Sequence, residues 1–399
     1  MLAALRAAVD ARVDDLHALT ARLVRERSLL GAEEGAQRIV EERLRRLGFE
    51  VERVEPDAAE TLTDPHAGYP LLPYEGRTCV AGRLRGSGGG RSLHLSGHVD
   101  VVPVEAEGRW TRDPWGGEIA DGRMWGRGAG DMKAGVAAYL VAVEAALETA
   151  GPLRGDLLFT SVIEEECGGN GMRAVLQAGY DADATLIGEP TDLRIHVNGV
   201  GVIWARLTAR SEGAHAAVAS ESGRPVDQIL QAVQGLRALE ATLNDGRPAH
   251  PYNLNLGEIH GGVWPSSVPA EVTLRCRLGF GPDLEPADAQ ALLRRAVESA
   301  APGVEVAFEG FRCKAYEHSL DNPLVQLVGA CHAEVQGRDE PPGRKLSTAT
   351  TDARYVSGPC CCYGPVAGSI HGIDEWVDLA STRDTALTVA LIASRWCGT

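Results

Sequence analysis

Apolar residues at Leu2, Leu5, Val9, Val13, Leu16, Leu19 and Leu23 recur in steps of three and four, a spacing that predicts a helix with one buried face. A second helix is expected up to about Leu47, with Gly48 as its stop. Beyond it the period shortens. TCVAGRL (78–84) and SLHLSG (92–97) read as strands, and the Gly-rich GRGAGDMKAG feeds a long helix that reaches Ala150 before Gly151 and Pro152. LLFTSVI then runs into three glutamates, followed by a helix around 172–178 and the strand ATLI, which ends in GEPT. Strands alternating with helices predict an α/β fold with a mostly parallel central sheet flanked by helices.

From about residue 200 the order changes to strand, helix, strand, strand, helix, strand, carried by VIWARLTAR, a helix over 225–243, NLNLGEIHGG, AEVTLRCRLGF, a further helix and VEVAFEGFRCKAY. That order predicts a small α+β unit with both helices on one face of an antiparallel sheet. After about Tyr316 the α/β pattern returns, with a helix from Pro323, a Thr-rich loop at 347–351, strand-like CCCYGP and a final helix near 385–396. The expected organisation is one discontinuous α/β domain, 1–199 and 316–399, interrupted by an inserted α+β domain at 200–315.

A chain of 399 residues is long enough for two domains, which agrees with that division. Acidic residues outnumber basic ones 55 to 39, giving a formal charge of −16, so no nucleic-acid or membrane partner is expected. No apolar run approaches the roughly 18 residues of a membrane span. Arg6, Asp10 and Arg12 interrupt the N-terminal apolar stretch, unlike a secretory signal. Nine cysteines, three of them consecutive at 360–362, form no disulfide framework, so reduced thiols and a cytoplasmic location are expected.

Five polar clusters fall where strands end. His98 and Asp100 close SLHLSG; residues two apart in a strand face the same way, so Asp100 is placed to hold the His98 ring. Asp131 stands at the mouth of the long helix. Glu164, Glu165 and Glu166 follow a buried strand, Glu189 sits in GEPT, and His371 in SIHGIDEW. Taken singly, each has a structural reading: a satisfied histidine, a helix cap, solvated carboxylates. Taken together, they gather two imidazoles and several carboxylates at the carboxyl ends of strands, where open α/β sheets bind ligands. That donor set suits zinc or a similar divalent ion without any thiolate, and Asp131, Glu166 and Glu189 offset most of the charge of two such ions. His94 reads as packed or solvated, the triple cysteine as core, and neither Gly-rich stretch completes GxGxxG.

GHVDVVP, WTRDPWGGEIADGRMWGRGAGDMKAG, EEECGGNG, GEPT and SIHGIDEWV, in that order, resemble the metallopeptidase family of acetylornithine deacetylase, succinyl-diaminopimelate desuccinylase, aminoacylase and carboxypeptidase G. The resemblance covers nearly the whole chain, and implies that 1–199 and 316–399 form the metal-binding catalytic domain and 200–315 an inserted lid and dimerisation domain. It implies two Zn2+, with Co2+ or Mn2+ as substitutes: His98 and Glu189 would hold one ion, Glu166 and His371 the other, and Asp131 would lie between them. Asp100 would support His98. Glu165 would be the general base, because the family's glycine five residues after the ligand glutamate corresponds to Gly171, five after Glu166; Glu164 then replaces the usual Asp. His215 in SEGAHAAV would reach a partner subunit's site and stabilise the oxyanion, which implies a homodimer through the lid. Arg354 in TDARY would clamp a substrate carboxylate.

Two departures bear on substrate. Ser266 stands where many relatives carry the Asn of Asn-x-Val-Pro, and Gly279 where a lid arginine often stands; Arg275 and Arg277 share Gly279's strand facing and are possible replacements. The implied activity is hydrolysis of a small acyl group from an N-acyl amino acid or similar amine, as in acetylornithine deacetylase. Dipeptidase or carboxypeptidase activity and deformylation of a formylamino heterocycle are the alternatives, with a non-catalytic binding protein of the same fold as the contrasting class.

Overall fold

Among residues 1–218, 223–247 and 252–398, which the computed structural model describes, six strands form the central sheet. Their order is Glu50–Val54, Cys79–Leu84, Leu157–Val162, Leu93–His98, Thr185–Ile187, Cys360–Cys362. The last four are mutually parallel, and Cys79–Leu84 runs antiparallel to both its neighbours. Leu93–His98 and Leu157–Val162 are buried at every position, so they read as apolar runs without alternation, as a sheet covered on both faces requires.

The sequence AGVAAYLVAVEAALETA is apolar around most of its circumference, and the helix Ala134–Ala150 is accordingly buried among the sheet, Leu379–Cys397 and Leu2–Asp10. Burying a side chain such as Leu140 or Leu391 stabilises this core by roughly 1.5–3 kcal/mol. At the N-terminus the apolar spacing expected for one helix is carried by two, Leu2–Asp10 and Val13–Arg25. They part at Ala11 and Arg12, where Arg12 leaves helical geometry and pairs with Glu144 and Glu148 of the buried helix. The buried face is continuous across the break, which is why the apolar spacing does not reveal it.

A second sheet of four antiparallel strands has the order Asn253–Gly261, Glu271–Phe280, Gly201–Arg210, Glu305–Cys313, and carries its own core. Its alternation is strict. Val272, Leu274, Cys276 and Leu278 pack under the helices Pro225–Asn244 and Pro286–Ala300, while Thr273, Arg275, Arg277 and Gly279 take the opposite face. That opposite face, through Trp204, Asn255, Arg275, Arg277 and Phe311, forms one wall of a cleft of ≈ 300 Å³; Glu165, Glu166 and His371 form the other.

All nine cysteines are free and buried, and Cys360–Cys362 is a buried edge strand of the central sheet. His94 is buried, bonded to Thr160 Oγ1 at 2.7 Å, and held near a pKa of about 3 by burial, apart from the polar clusters. Among the described residues no helix is long and apolar enough to cross a membrane.

Candidate metal centre

The loops at the carboxyl ends of the parallel strands bring His98, Asp131, Glu165, Glu166 and Glu189 together. One possible donor atom from each of His98, Glu165 and Glu189 lies within 4.8 Å of the other two, and the same holds for His98, Asp131 and Glu166. His371 joins from the loop between Gly368 and Trp376: its Nε2 is 3.0 Å from the Glu166 carboxylate and 3.7 Å from Asp131. His98 Nε2 is 3.1 Å from Asp131 Oδ1.

Asp100 supports His98 by a different atom from the one its strand position suggests. The ring Nδ1 lies 3.0 Å from the main-chain oxygen of Asp100 and 3.7 Å from its carboxylate. With Nδ1 donating to that carbonyl, Nε2 is turned to the cluster, where it donates to Asp131 and would offer a lone pair to a cation that displaced its proton. The Asp100 carboxylate instead accepts from the main-chain N–H groups of Glu165 (3.2 Å) and Glu166 (3.1 Å), tying the glutamate loop to the end of the neighbouring strand.

The three glutamates separate by direction. Glu164, at φ +64°, turns away: it accepts from Tyr74 Oη at 2.7 Å and pairs with Arg77 at 2.8 Å. Glu166 meets His371. Glu165 lies between the cluster and Arg354, whose Nη1 is 3.4 Å from Glu165 Oε1.

Arg354, expected to clamp a substrate carboxylate, is placed behind Glu165. Its side chain is 1% exposed, with Nη2 donating to the Gly168 carbonyl at 3.2 Å and the guanidinium centred 4.7 Å above the Tyr355 ring. The fork faces Glu165 and the glutamate loop, and Arg354 is not among the residues that line the cleft. It braces Glu165 from behind. His215 is exposed on the short strand Ala214–His215, its Nδ1 accepting from Ala217 N–H at 3.1 Å, and it does not line the cleft.

Glu375 was not singled out by the sequence, although it stands in the SIHGIDEW segment. Fully buried, it accepts from the main-chain N–H of Gly130 at 2.9 Å and of Asp131 at 3.1 Å, and it pairs with buried Arg127. Next to it, Asp374 accepts from Thr111 N–H at 2.8 Å. One short segment therefore positions both the Asp131 main chain and the His371 loop. The available signal was an acid and an arginine in otherwise apolar surroundings, and it is readable only once their burial is known.

Electrostatically the cluster carries more negative charge than its own cations offset. Burial, then the charges of neighbouring carboxylates, pushes Glu165 and Glu189 well above the usual carboxylate range. Burial alone would lower His98, but its hydrogen bond to Asp131 and the charges of Asp100, Glu189 and Asp131 drive it well above its ordinary value. The charge of Glu166 is the main cause of a rise in His371 to about 9. A largely buried set of carboxylates and imidazoles, with more negative charge than its own cations offset, fits divalent metal ions, and no thiolate is among the donors.

Comparison with known proteins agrees with this geometry. The sequence matches Peptidase family M20/M25/M40 over residues 94–395. It is 34% identical to a succinyl-diaminopimelate desuccinylase of Rhodospirillum centenum over 321 residues, 77% of this chain and 82% of that one. Among solved structures, the dipeptidase Dug1p of Saccharomyces cerevisiae superposes with a TM-score of 0.82 at 13% identity, over 100% of this chain and 99% of its own. A dinuclear metal-binding peptidase of Bacillus subtilis does so with a TM-score of 0.60 at 14% identity, over 96% of this chain and 98% of its own. At such identities the two superpositions speak to fold, whereas the matched segment and the desuccinylase relative carry the assignment: the chain belongs to peptidase family M20/M25/M40.

Proposed function

We propose that this protein is a two-metal amidohydrolase that removes a small acyl group from an N-acyl amino acid. As a member of its family it is a hydrolase of amide bonds. The observation that carries the finer reading is the gathering of His98, Asp131, Glu165, Glu166, Glu189 and His371 beside a cleft that Glu165, Glu166 and His371 line and that is large enough for a small substrate. Its relatives named succinyl-diaminopimelate desuccinylase favour a deacylase over a dipeptidase.

In this reading His98 and Glu189 hold one ion, Glu166 and His371 the other, and Asp131 both; zinc is the proposed metal, with cobalt or manganese as substitutes. When bound, such ions lower the pKa of water and polarise a carbonyl. Glu165 stays out of the ligand set because Arg354 engages one of its oxygens. A carboxylate pushed upward in pKa and facing the cleft is suited to take a proton from the attacking water and pass it to the leaving nitrogen. Residues 200–315 act as lid and dimerisation domain, and exposed His215 stabilises the oxyanion in the partner subunit's site, where a donor aimed at developing charge contributes roughly 3–4 kcal/mol. Free, buried thiols support a cytoplasmic setting.

The test is a hydrolysis panel with the zinc-loaded protein: N-succinyl, N-acetyl and N-formyl amino acids beside simple dipeptides. Selective release of one acyl group is expected. Cleavage of dipeptides alone, or of nothing in the panel, overturns the deacylase reading.

A further inference from the structure

We infer that Arg277, whose guanidinium rests in the space that the absence of a side chain at Gly279 leaves open, is the anion-recognition residue of the cleft and binds a carboxylate of the substrate. The inference rests on the reading of the cleft as the substrate site. It starts from the strand Glu271–Phe280, whose alternation aims Arg275, Arg277 and Gly279 at the cleft face. Both arginines line the cleft together with Glu165, Glu166 and His371, and they differ in what already holds them.

Arg275 is neutralised. It pairs with Glu258 at 3.0 Å and with Glu309 at a shorter distance, one carboxylate on each neighbouring side. Arg277 has no carboxylate within 4.0 Å among the described residues. Its Nη1 donates to the Asn253 side-chain oxygen and its Nη2 to the Thr348 main-chain oxygen at 3.2 Å, both neutral acceptors. A guanidinium offers five N–H donors in a fork matched to a carboxylate, so donors remain unspent. Partly burying a cation with only neutral partners is costly, and burial indeed lowers its pKa. An anion arriving from the cleft removes that cost.

Gly279 explains why Arg277 lies where it does. In the strand register Asn253 is opposite Gly279, and Asn255 opposite Arg277. A Cβ on residue 279 would stand 2.7 Å and 2.8 Å from the Asn253 amide atoms and 3.0 Å from Arg277 Nη1, so the Asn253–Arg277 pair occupies the place of a side chain at 279. Asn253 Nδ2 is itself buried without a partner, a second unspent donor beside the guanidinium. The departure from the family pattern at 279 and the arginine at 277 are thus one arrangement: the missing side chain is the room in which the guanidinium rests.

The carboxylate belongs either to the acyl group or to the amino-acid end of the substrate, and neutral analogues separate the two. Binding is measured by calorimetry on the zinc-loaded protein in a Glu165→Gln background, where turnover is suppressed, for N-succinylglycine, N-succinylglycinamide and N-butyrylglycine, which carry both carboxylates, only the acyl one, and only the amino-acid one. Arg277→Ala is expected to bind ligands carrying the recognised carboxylate roughly 10- to 100-fold more weakly, and to bind the one lacking it as the protein with Arg277 intact does. Which analogue is insensitive names the end. Arg277→Lys should restore part of the loss, and Gly279→Ala, which keeps the charge but crowds it, should weaken the same ligands. Where turnover occurs, KM should carry most of the change and kcat little.

Equal binding with Arg277→Ala and with Arg277 intact overturns the inference, as does uniform weakening of all three ligands or no measurable binding with Arg277 intact. Because binding is read apart from turnover, carboxylate binding that depends on Arg277, without hydrolysis when Glu165 is present, would uphold this residue while refuting the deacylase reading.

Discussion

At the scale of the residue, the three consecutive glutamates show how one local sequence divides its tasks. Glu164 adopts a left-handed backbone and turns to Tyr74 and Arg77, which releases Glu165 and Glu166 toward the cleft. The proposed division into base and ligand rests on their partners: Glu166 meets His371, and Glu165 meets Arg354. Replacing Glu165 by Gln preserves size and should leave two zincs bound, as read by elemental analysis. Turnover should fall by roughly 10²- to 10⁴-fold, the contribution of a general base. Unchanged turnover, or loss of a zinc, would refute the division.

At the scale of the element, the site depends on a close approach between the buried helix and the sheet. Gly135 lies in the first turn of Ala134–Ala150, and a Cβ there would fall on the carbonyl oxygen of Gly188, the residue before Glu189. The alanine gains at most about 1 kcal/mol of helix propensity, and overpacking costs roughly 1–3 kcal/mol. Gly135→Ala should therefore lower the urea midpoint and, by displacing Glu189, weaken zinc retention against a chelator. A more stable variant with unaltered retention would show that this contact does not set the position of Glu189. At the same scale, strand alternation in EVTLRCRLGF was legible from sequence because period two survives wherever one face is buried. The break between the first two helices was not, because the apolar face runs through it.

At the scale of the whole molecule, exposed His215 does not line its own cleft, so the proposed role of oxyanion donor calls for a second copy of the chain to complete the site. Mixing inactive Glu165→Gln and inactive His215→Ala chains under conditions of subunit exchange tests this. A heterodimer holds one site with both residues intact, so activity should recover to about a quarter of that of the unsubstituted protein. No recovery despite demonstrated exchange would place His215 outside the partner's site. Between the two sheets, Arg277 on one wall and the carboxylate cluster on the other define the span that a substrate must fill.

The fold class, the strand-end location of the clusters and the identities of His98, Asp131, Glu165, Glu166, Glu189 and His371 as candidates were legible in the sequence alone. Each depends on local spacing: strand period, helix start, and polar residues placed where an apolar run stops. Only the tertiary structure decided which groups face one another. It turned Arg354 inward to brace Glu165, gave Glu375 the task of holding the Asp131 main chain, and set the Asp100 carbonyl rather than its carboxylate against the His98 ring. It also left Arg277 without an acidic partner while satisfying Arg275 two residues away. The physical reason is common to all four. A side chain's charge and donors are written in its own residue, but its burial and its partners come from segments distant in sequence, and these exist only after the sheets have packed.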